Sequence, residues 1–331
     1  MFSFKRFHPR YIRTSTVKMS KSSKLLLAQI DLSIKKLSAN NFDETDSRIS
    51  NEIKHSAAKL LLKALKRIPF AERSIEWSER YVQIYTLYGK KVARCRSLDS
   101  KIIQKYLAEK KLSSIESYRA RIEVASGGKL YGNHGFTFPL KNVDTSVLTD
   151  ELVRMVKLLE SIGYTVFLNS GTLLGAQRDS NFIKYDDDID LGVYLGERDE
   201  EEVISDMIIL LSNLKKNVGD NCGCEISMKS PIVKFKFKSQ VLVDIFPSWS
   251  KDDKLFIWPY CFGELSTHVL MPLSEKSINN YKFPAPFNIN AILNQNYGKN
   301  WNIPDQYFKF NWQRAKEKFH KLIALYEKFE T

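Results

Sequence analysis

Cysteine is scarce in this chain of 331 residues, which contains four thiols: Cys95, Cys222, Cys224 and Cys261. Cys222 and Cys224 are separated by one glycine, which is too close for an ordinary structural disulfide. No matching Cys or His motif with metal-ligand spacing accompanies them. The pattern argues against a disulfide framework, and we expect the ordinary reduced cysteines of a cytosolic protein.

Long apolar runs are also missing, so we expect no transmembrane helix. The first 24 residues are basic and rich in hydroxyl side chains, but they lack the apolar segment of a signal peptide. Hydrophobic residues make up 43% of the chain and aromatic residues 12%, which is enough for a sizeable core. We therefore expect a soluble, cytoplasmic protein of about two domains.

Acidic residues are few in the N-terminal part of the chain. Residues 1–130 contain 28 Lys and Arg against 12 Asp and Glu, a net charge of +16, whereas the remainder contains 23 against 26, a net charge of −3. Glycine and proline are rare there, and apolar residues recur at helical spacing on both sides of a polar linker at 38–50. The two apolar sets are Leu25, Leu26, Ile30, Ile34 and Leu37, and then Ile53, Ala57, Leu60, Leu61, Ala64, Leu65 and Ile68.

Basic amphipathic helices of this kind have two common uses. They can pack against other helices and leave their lysines in water, or they can lie on an anionic membrane surface. The sequence leaves both alternatives open. We predict a helical basic region over residues 1–111, which docks on a membrane or on a partner, and a second domain over residues 112–331. A membrane contact would be peripheral, at the inner membrane face.

An acidic stretch lies within the segment from Ser170 to Val193. Asp186, Asp188 and Asp190 alternate with other residues, so we expect a strand whose three carboxylates project from one face. Carboxylates a few ångströms apart repel one another unless a cation lies between them. Oxygen ligands suit Mg²⁺ or Mn²⁺. The stretch therefore predicts a metal site.

The residues before the acidic stretch predict a phosphate site. An apolar strand ends at Leu168, and Ser170 then suits the N-cap of a helix that begins with small residues. Free backbone N–H groups at a helix N-terminus attract phosphate, and basic side chains add to that attraction. The predicted phosphate-binding residues are Ser170, Gly171, Thr172, Arg178 and Lys184.

A later apolar strand, at 241–246, contains a single carboxylate, Asp244. A lone carboxylate in such surroundings is unfavourable unless it is paired or bound to a metal, so we predict a third metal ligand beside Asp188 and Asp190. Other segments have the patterns of strands at 224–228, 232–238 and 255–260, and of helices at 148–162, 196–217 and 314–329. Interspersed strands and helices predict an α/β or α+β domain with a mixed sheet.

The order of these residues resembles that of the nucleotidyltransferase-fold superfamily. The string GTLLGAQR…FIKYDDDIDLGV is similar to the LicD/fukutin family, and the resemblance covers about residues 146–305. Two pairs of residues depart from the family: Lys184 and Tyr185 stand where Pro-Trp is frequent, and Asp179 and Ser180 stand where a basic or small residue is frequent. The late segment 282–304 resembles the family's closing pattern through Pro286, Asn288, Leu293, Tyr297, Gly298, Trp301 and Pro304.

The resemblance implies a nucleotidyltransferase-like mixed sheet with flanking helices, and a metal-dependent transferase. Its reaction would move a phospho-alcohol group, such as ribitol phosphate or phosphocholine, from a CDP-linked donor to a hydroxyl of a cell-surface glycan or lipid-linked glycan, and release CMP. Asp188, Asp190 and Asp244 would hold Mg²⁺ or Mn²⁺, and Asp186 would be a further ligand or would orient one. The general base would be Asp244 or Asp186.

Two other classes of function remain open from the residues. One is a nucleotidyltransferase that acts on RNA or on a small molecule, but no RNA-binding motif accompanies the basic region, so we expect no nucleic-acid partner. The other is a non-catalytic assembly subunit of a glycan-synthesis complex, for which a crowded acidic face has no use. His134, in a segment rich in turn residues, is interpreted as an ordinary loop histidine.

Overall fold

The computed structural model describes residues 18–39, 47–88, 92–126, 128, 130–132, 135–218, 224–305, 308 and 310–330. His134, Cys222 and residues 40–46 of the predicted linker lie outside the described residues. The chain divides into two compact units, residues 1–138 and residues 139–331. Cys95 and Cys261 are buried free thiols.

The first unit is mainly helical. Its core is formed by aromatic and aliphatic side chains of the third helix, among them Trp77, Tyr81 and Ile84, and the other helices contact this helix or one another. The described elements are α1 (Lys21–Ala39), α2 (Ser47–Lys66), α3 (Ile75–Tyr88), α4 (Val92–Ala108), α5 (Leu112–Ala125) and a short hairpin of β1 (Leu130–Gly132) and β2 (Gly135–Thr137).

The predicted apolar faces of α1 and α2 are only partly buried. Helix α1 buries Ile30 and Ile34, whereas Leu25 is 62% exposed, and Leu60 of α2 is 67% exposed. A helix advances by about 100° per residue, so Leu25 and Leu60 lie far around the helix from their buried neighbours two positions away, Leu27 and Ala58. The two helices therefore pack inward and also present isolated leucines to solvent.

The predicted boundary at residue 111 differs from the division into compact units. Helix α5 contacts α3 and α4, and its buried residues include Ile115 and Tyr118. The tyrosine hydroxyl donates to Asp99 of α4 at 2.8 Å. The first compact unit therefore continues to residue 138, because α5 belongs to the helical core. Among the described helices, none combines the length and the apolar character that crossing a bilayer requires.

The second unit contains a mixed sheet with helices packed against it, which confirms the predicted fold class. The helices are α6 (Thr145–Ser161), α7 (Ser170–Asp179), α8 (Glu200–Val218), α9 (Ile289–Tyr297), α10 (Trp312–Lys318) and α11 (His320–Glu330). The strands are β3 (Thr165–Leu168), β4 (Ile189–Glu197), β5 (Glu225–Lys229), β6 (Ile232–Lys236), β7 (Leu242–Lys251), β8 (Lys254–Ile257), β9 (Cys261–Ser266), β10 (Ser274–Ile278) and β11 (Tyr281–Ala285).

The order of strands brings distant segments together. The main path is β3-β4-β7-β6-β5, with β8 paired to β7 and β9 paired to β8, and β10 and β11 form a separate hairpin. Strands β4 and β7 are parallel, and every other pair is antiparallel among the residues that the structure describes. Strand β7 therefore lies between β4 and β6, which places Asp244 between two neighbouring strands.

Amphipathic helices bury their apolar stripes against this sheet. Helix α8 has glutamates in its first turn and Lys215 and Lys216 in its last turn, which complements the helix dipole. Its buried residues recur at three- and four-residue spacing, as an apolar stripe requires: Val203, Ile204, Met207, Leu210 and Leu214. The predicted helix at 314–329 is divided at Phe319 into α10 and α11, and the Phe319 ring packs against Trp249 and Trp258.

Candidate active site

The prediction that Asp186, Asp188 and Asp190 share one strand is wrong in detail. Strand β4 begins at Ile189, so Asp186 and Asp188 lie in the preceding loop and Asp190 alone lies in the strand. The loop turns before the strand: the N–H of Asp186 donates to the carbonyl of Ile183 at 3.1 Å, and the N–H of Leu140 donates to the carbonyl of Asp186 at 2.7 Å. The alternation of carboxylates in the sequence does not reveal where the strand begins, because that depends on pairing with β3 and β7.

The loop and the strand nevertheless bring the three carboxylates together. One oxygen of each of Asp186, Asp188 and Asp190 lies within 4.8 Å of the others. Asp188 and Asp190 are buried, at 4% and 7% exposure, and Asp186 is half-buried. The three ligand atoms are all carboxylate oxygens, the type that hard divalent cations prefer. This group could hold a metal ion.

Gly171 makes room for this group. A Cβ atom at residue 171 would lie 2.2 Å from Oδ2 of Asp186 and 3.1 Å from Oδ2 of Asp190. The first of these distances is far shorter than a van der Waals contact, so a side chain at this position would displace Asp186. The backbone N–H of Gly171 donates to Oδ2 of Asp190 at 2.8 Å. Helix α7 therefore begins in direct contact with the carboxylates.

Thr172 forms a second link between helix α7 and strand β4. Its hydroxyl oxygen accepts from the backbone N–H of Asp190 at 2.8 Å, and its side chain is 2% exposed. Gly171 and Thr172 therefore contact the carboxylate strand directly, whereas the sequence predicts that they bind phosphate. These two contacts position Asp190, and the predicted binding of phosphate by Gly171 and Thr172 stays a prediction.

The predicted N-cap at Ser170 is one residue late. The helix begins at Ser170, the N-cap is Asn169, and no side-chain bond caps the helix. Ser170 has φ of 38°, in the left-handed region that disfavours residues other than glycine. The Asn169 side chain is fully buried, and its Oδ1 accepts from the hydroxyl of Tyr260. Among the described residues its Nδ2 has no hydrogen-bond partner.

Asp244 lies next to Asp190 on the neighbouring strand. The two are paired in the parallel register of β4 and β7, as the prediction of a shared site requires. Asp244 is 4% exposed, and its Oδ2 forms an ion pair with Nζ of Lys234 on β6. It does not belong to the group of three mutually close carboxylates among the described residues. Its predicted role as a metal ligand thus competes with a lysine contact.

Burial and mutual repulsion perturb the buried carboxylates. Desolvation, followed by repulsion from Asp190 and Asp244, raises the pKa of Asp188 well above its ordinary value. Desolvation, followed by repulsion from Asp186 and Asp244, raises the pKa of Asp190 in the same direction. Without a cation, the site therefore favours bound protons. A divalent cation would relieve the same repulsion.

Arg178 and Lys184, the two basic residues predicted to bind phosphate, form contacts with other residues than the carboxylates. Arg178 is in the last turn of α7, seven residues beyond Gly171 and thus about 10 Å along the helix axis. Its guanidinium forms an ion pair with Asp179 at 2.8 Å. Lys184 is exposed, and its carbonyl accepts from the N–H of Lys141 at 2.9 Å. The structure assigns neither side chain a contact with the carboxylates.

Three residues near the cluster were not assigned a role from sequence. They are Lys234, Asn169 and Tyr260. The sequence names a further residue near the cluster, Tyr297, only as part of the family's closing pattern and gives it no role. Desolvation, followed by repulsion from Asp190 and Asp186, raises the pKa of the Tyr297 hydroxyl well above its ordinary value. Tyr297 is the last residue of α9, and this helix contacts α7. Lys234 is one of the lysines that alternate with phenylalanines in the segment 232–238. The residue opposite it on the next strand depends on strand register, which the sequence does not reveal.

These features define the class of the second unit. A mixed sheet carries carboxylates at neighbouring strands, and a helix with a small-residue start packs against them, as in a nucleotidyltransferase domain. Residues 163–288 match the family model described as "LicD/FKTN/FKRP, nucleotidyltransferase domain". This match confirms the resemblance seen in the sequence.

Curated relatives carry a more specific description. Over 177 residues the chain is 27% identical to the ribitol-5-phosphate transferase FKTN of Macaca fascicularis and 26% identical to that of Homo sapiens. Each alignment covers 50% of this chain and 35% of the relative. The Mus musculus protein of the same description is 27% identical over 166 residues. The chain thus spans about a third of the length of these relatives.

A solved structure with partial similarity is the cyclic AMP-GMP synthase DncV of Vibrio cholerae, in complex with a linear intermediate. The match covers 72% of this chain and 46% of that chain, with 13% sequence identity and a TM-score of 0.22. A score of this size supports no inference about this protein.

Proposed function

We propose that this protein transfers a phospho-alcohol group from a CDP-linked donor to a hydroxyl of a glycan or lipid-linked glycan, and that CMP is released. The observation that carries the proposal is the group of Asp186, Asp188 and Asp190, gathered at the start of α7 within the segment that matches the family model. The description of the relatives as ribitol-5-phosphate transferases makes ribitol phosphate the first group to test.

The carboxylate group fits a divalent cation by its chemistry. Its donor atoms are oxygens that lie within 4.8 Å of one another. Burial and repulsion from neighbouring carboxylates raise the pKa of Asp188 and of Asp190, which opposes their ionisation in the absence of a cation. Asp186, Asp188 and Asp190 would hold Mg²⁺ or Mn²⁺. When bound, such an ion supplies positive charge that stabilises the transferring phosphate and the leaving phosphate.

The protein's own residues position the reactants. The Asn169 side chain has a buried donor without a partner among the described residues, next to the start of α7, and it suits an anionic phosphate oxygen. The acceptor oxygen attacks the distal phosphorus, the bond from that phosphorus to the CMP oxygen breaks, and CMP leaves. We propose Asp186 as the group that accepts the hydroxyl proton, because it is the more exposed candidate and Asp244 is already paired with Lys234.

The proposal also gives a role to the basic first unit. Residues 1–130 carry a net charge of +16, and α1 and α2 expose Leu25 and Leu60 beside lysines. This combination suits peripheral contact with an anionic membrane, where a lipid-linked acceptor would be presented. We propose a cytoplasmic location with such contact at the inner membrane face.

The function is tested by CMP release in the presence of Mg²⁺ from a panel of CDP-ribitol, CDP-glycerol and CDP-choline, with surface glycan from the source cell as acceptor. We expect release from one donor, and its loss in Asp190→Asn, which keeps the shape of the side chain and removes the charge. Asp179→Asn, which removes an exposed carboxylate outside the group, should retain activity. Consumption of nucleoside triphosphates without CMP release from any donor would contradict the proposal.

A further inference from the structure

Three charged side chains form a row across adjacent strands of the sheet. Asp190 on β4 pairs with Asp244 on β7, and Asp244 pairs with Lys234 on β6. Residues paired directly across strands project from the same face of a sheet, and neighbouring strands are about 4.8 Å apart. The lysine therefore stands next to Asp244 on the side opposite Asp190.

Lys234 compensates the charge of the buried Asp244. Its Nζ forms an ion pair with Oδ2 of Asp244, which is 4% exposed, while the lysine side chain is 31% exposed. A buried carboxylate without a cation is strongly unfavourable, so this contact stabilises the ionised pair. The other three carboxylates form a separate group, to which Asp244 does not belong among the described residues.

We propose that Lys234 takes the place of a second divalent cation, so that the site binds one metal ion, at Asp186, Asp188 and Asp190. This inference rests on the proposed function for the presence of that ion. In a two-metal site the ions are about 3.5–4 Å apart and share carboxylates. A second ion at Asp244 would have to displace the lysine ammonium from Oδ2. Mg²⁺ also gives up its water reluctantly, which disfavours a buried position already filled by a cation.

The same arrangement makes Lys234 a positioning residue for phosphate. An ammonium group has three N–H donors, and one is directed at Asp244. The remaining donors can bind a phosphate oxygen of the donor nucleotide without losing the ion pair. Lys234 thus supplies positive charge on the Asp244 side of the site, opposite the carboxylate group.

The test counts Mn²⁺ ions bound to the full-length protein, by equilibrium dialysis and by the electron paramagnetic resonance signal of free Mn²⁺. We expect one ion per chain in the wild type and two in Lys234→Met, because loss of the ammonium opens Asp244 to a cation. Lys236→Met is the matched control, since Lys236 lies on the same strand and pairs with the exposed Glu225. It should bind one ion. Two ions in the wild type, or one in Lys234→Met, would overturn the proposal.

A second variant keeps the test decisive where Lys234→Met does not fold. The double variant Lys234→Met with Asp244→Asn removes both charges of the pair, so no buried charge is left alone. If Asp244 is not a metal ligand, this protein should bind one Mn²⁺ with wild-type affinity. Loss of Mn²⁺ binding in the double variant would show that Asp244 is a ligand and that the inference is wrong.

The role of Lys234 and the transfer reaction are tested by separate experiments, so either can be refuted without the other. Dialysis uses no nucleotide and no glycan, so one ion per chain without CMP release would refute the transfer reaction and leave the role of Lys234 intact. CMP release with two ions per wild-type chain would support the transfer reaction and refute the role of Lys234.

Discussion

At the scale of the residue, protons and cations compete for Asp188 and Asp190. Both are buried, and both have raised pKa values for the same causes, desolvation first and then repulsion from neighbouring carboxylates. Gly171 lets Asp186 approach them, and its N–H contacts Asp190. Each bound proton relieves part of the repulsion, as a cation would. The stability of the metal-free protein should therefore depend on pH.

The sign of this dependence follows from proton linkage. Between the ordinary pKa of an aspartate and the raised pKa of the folded state, the folded protein binds more protons than the unfolded chain, so stability falls as pH rises through this range. Each unit of difference contributes about 1.4 kcal/mol to the free energy of unfolding. In a chelator, the melting temperature of the wild type should fall relative to that of Asp190→Asn as pH rises.

The measurement is a series of thermal unfolding curves for both proteins, in chelator and in saturating Mg²⁺. Mg²⁺ should reduce the difference in pH dependence, because the cation replaces the proton. Asp179→Asn, outside the cluster, should follow the wild type. Parallel curves of melting temperature against pH for the wild type and Asp190→Asn in chelator would contradict the prediction.

At the scale of the element, the sequence predicts the helices and strands that follow from a local residue pattern. It does not predict the strand boundaries and side-chain contacts that depend on how strands pair. Helix α8 has a clear apolar stripe and complementary charges at its ends, so it follows from periodicity. The apolar run at 241–246 predicts the first part of β7, which continues to Lys251. The loop at Asp186 is different, because hydrogen bonds to Ile183 and Leu140 shape it and the strand begins only at Ile189. The contact of Lys234 with Asp244 depends on register, which no local pattern specifies.

The contact between β3 and β4 gives a prediction at this scale. Phe167 pairs with Gly192 across the two strands, and a Cβ at residue 192 would lie 2.2 Å from the nearest atom of the Phe167 ring. The ring is fully buried, so Gly192→Ala should strain the core and lower the free energy of unfolding by about 1–3 kcal/mol. Denaturant unfolding of the purified protein measures this change.

The double variant Gly192→Ala with Phe167→Leu separates overpacking from other effects of the alanine. The smaller leucine side chain should relieve the contact, so the double variant should lose less stability than the sum of the two single variants. Additive losses would show that the ring does not limit residue 192, and the interpretation of this contact would then be wrong.

At the scale of the whole molecule, charge is separated between the two compact units. The net charge of +16 lies within residues 1–130, and the carboxylate group lies in the second unit. Leu25 and Leu60 are exposed in the first unit, whereas single exposed apolar residues such as Ile209 also occur in the second. Because the first unit combines a positive charge excess with exposed leucines, we propose that this unit contacts the membrane.

We expect the full-length protein to sediment with vesicles that contain phosphatidylserine and to remain in solution with vesicles of phosphatidylcholine alone. Burial of a leucine side chain contributes about 1.5 kcal/mol or more, so replacing both Leu25 and Leu60 with serine should weaken binding by roughly tenfold or more per residue. Ile209→Ser, which changes a comparably exposed side chain of the second unit, is the matched control. Equal binding to both vesicle types, or an equal effect of Ile209→Ser, would contradict the prediction.

The absence of a side chain at Gly171 has a consequence for comparing sequences within the family. A relative with alanine or a larger residue at the equivalent position would have its side chain where Oδ2 of Asp186 lies in this protein. Such a chain could retain every aspartate of the acidic motif in its sequence, and its equivalent of Asp186 would still have to move away from the other two. Counting aspartates in an alignment would then miss a difference in the geometry of the carboxylate group that the residue at this position reveals.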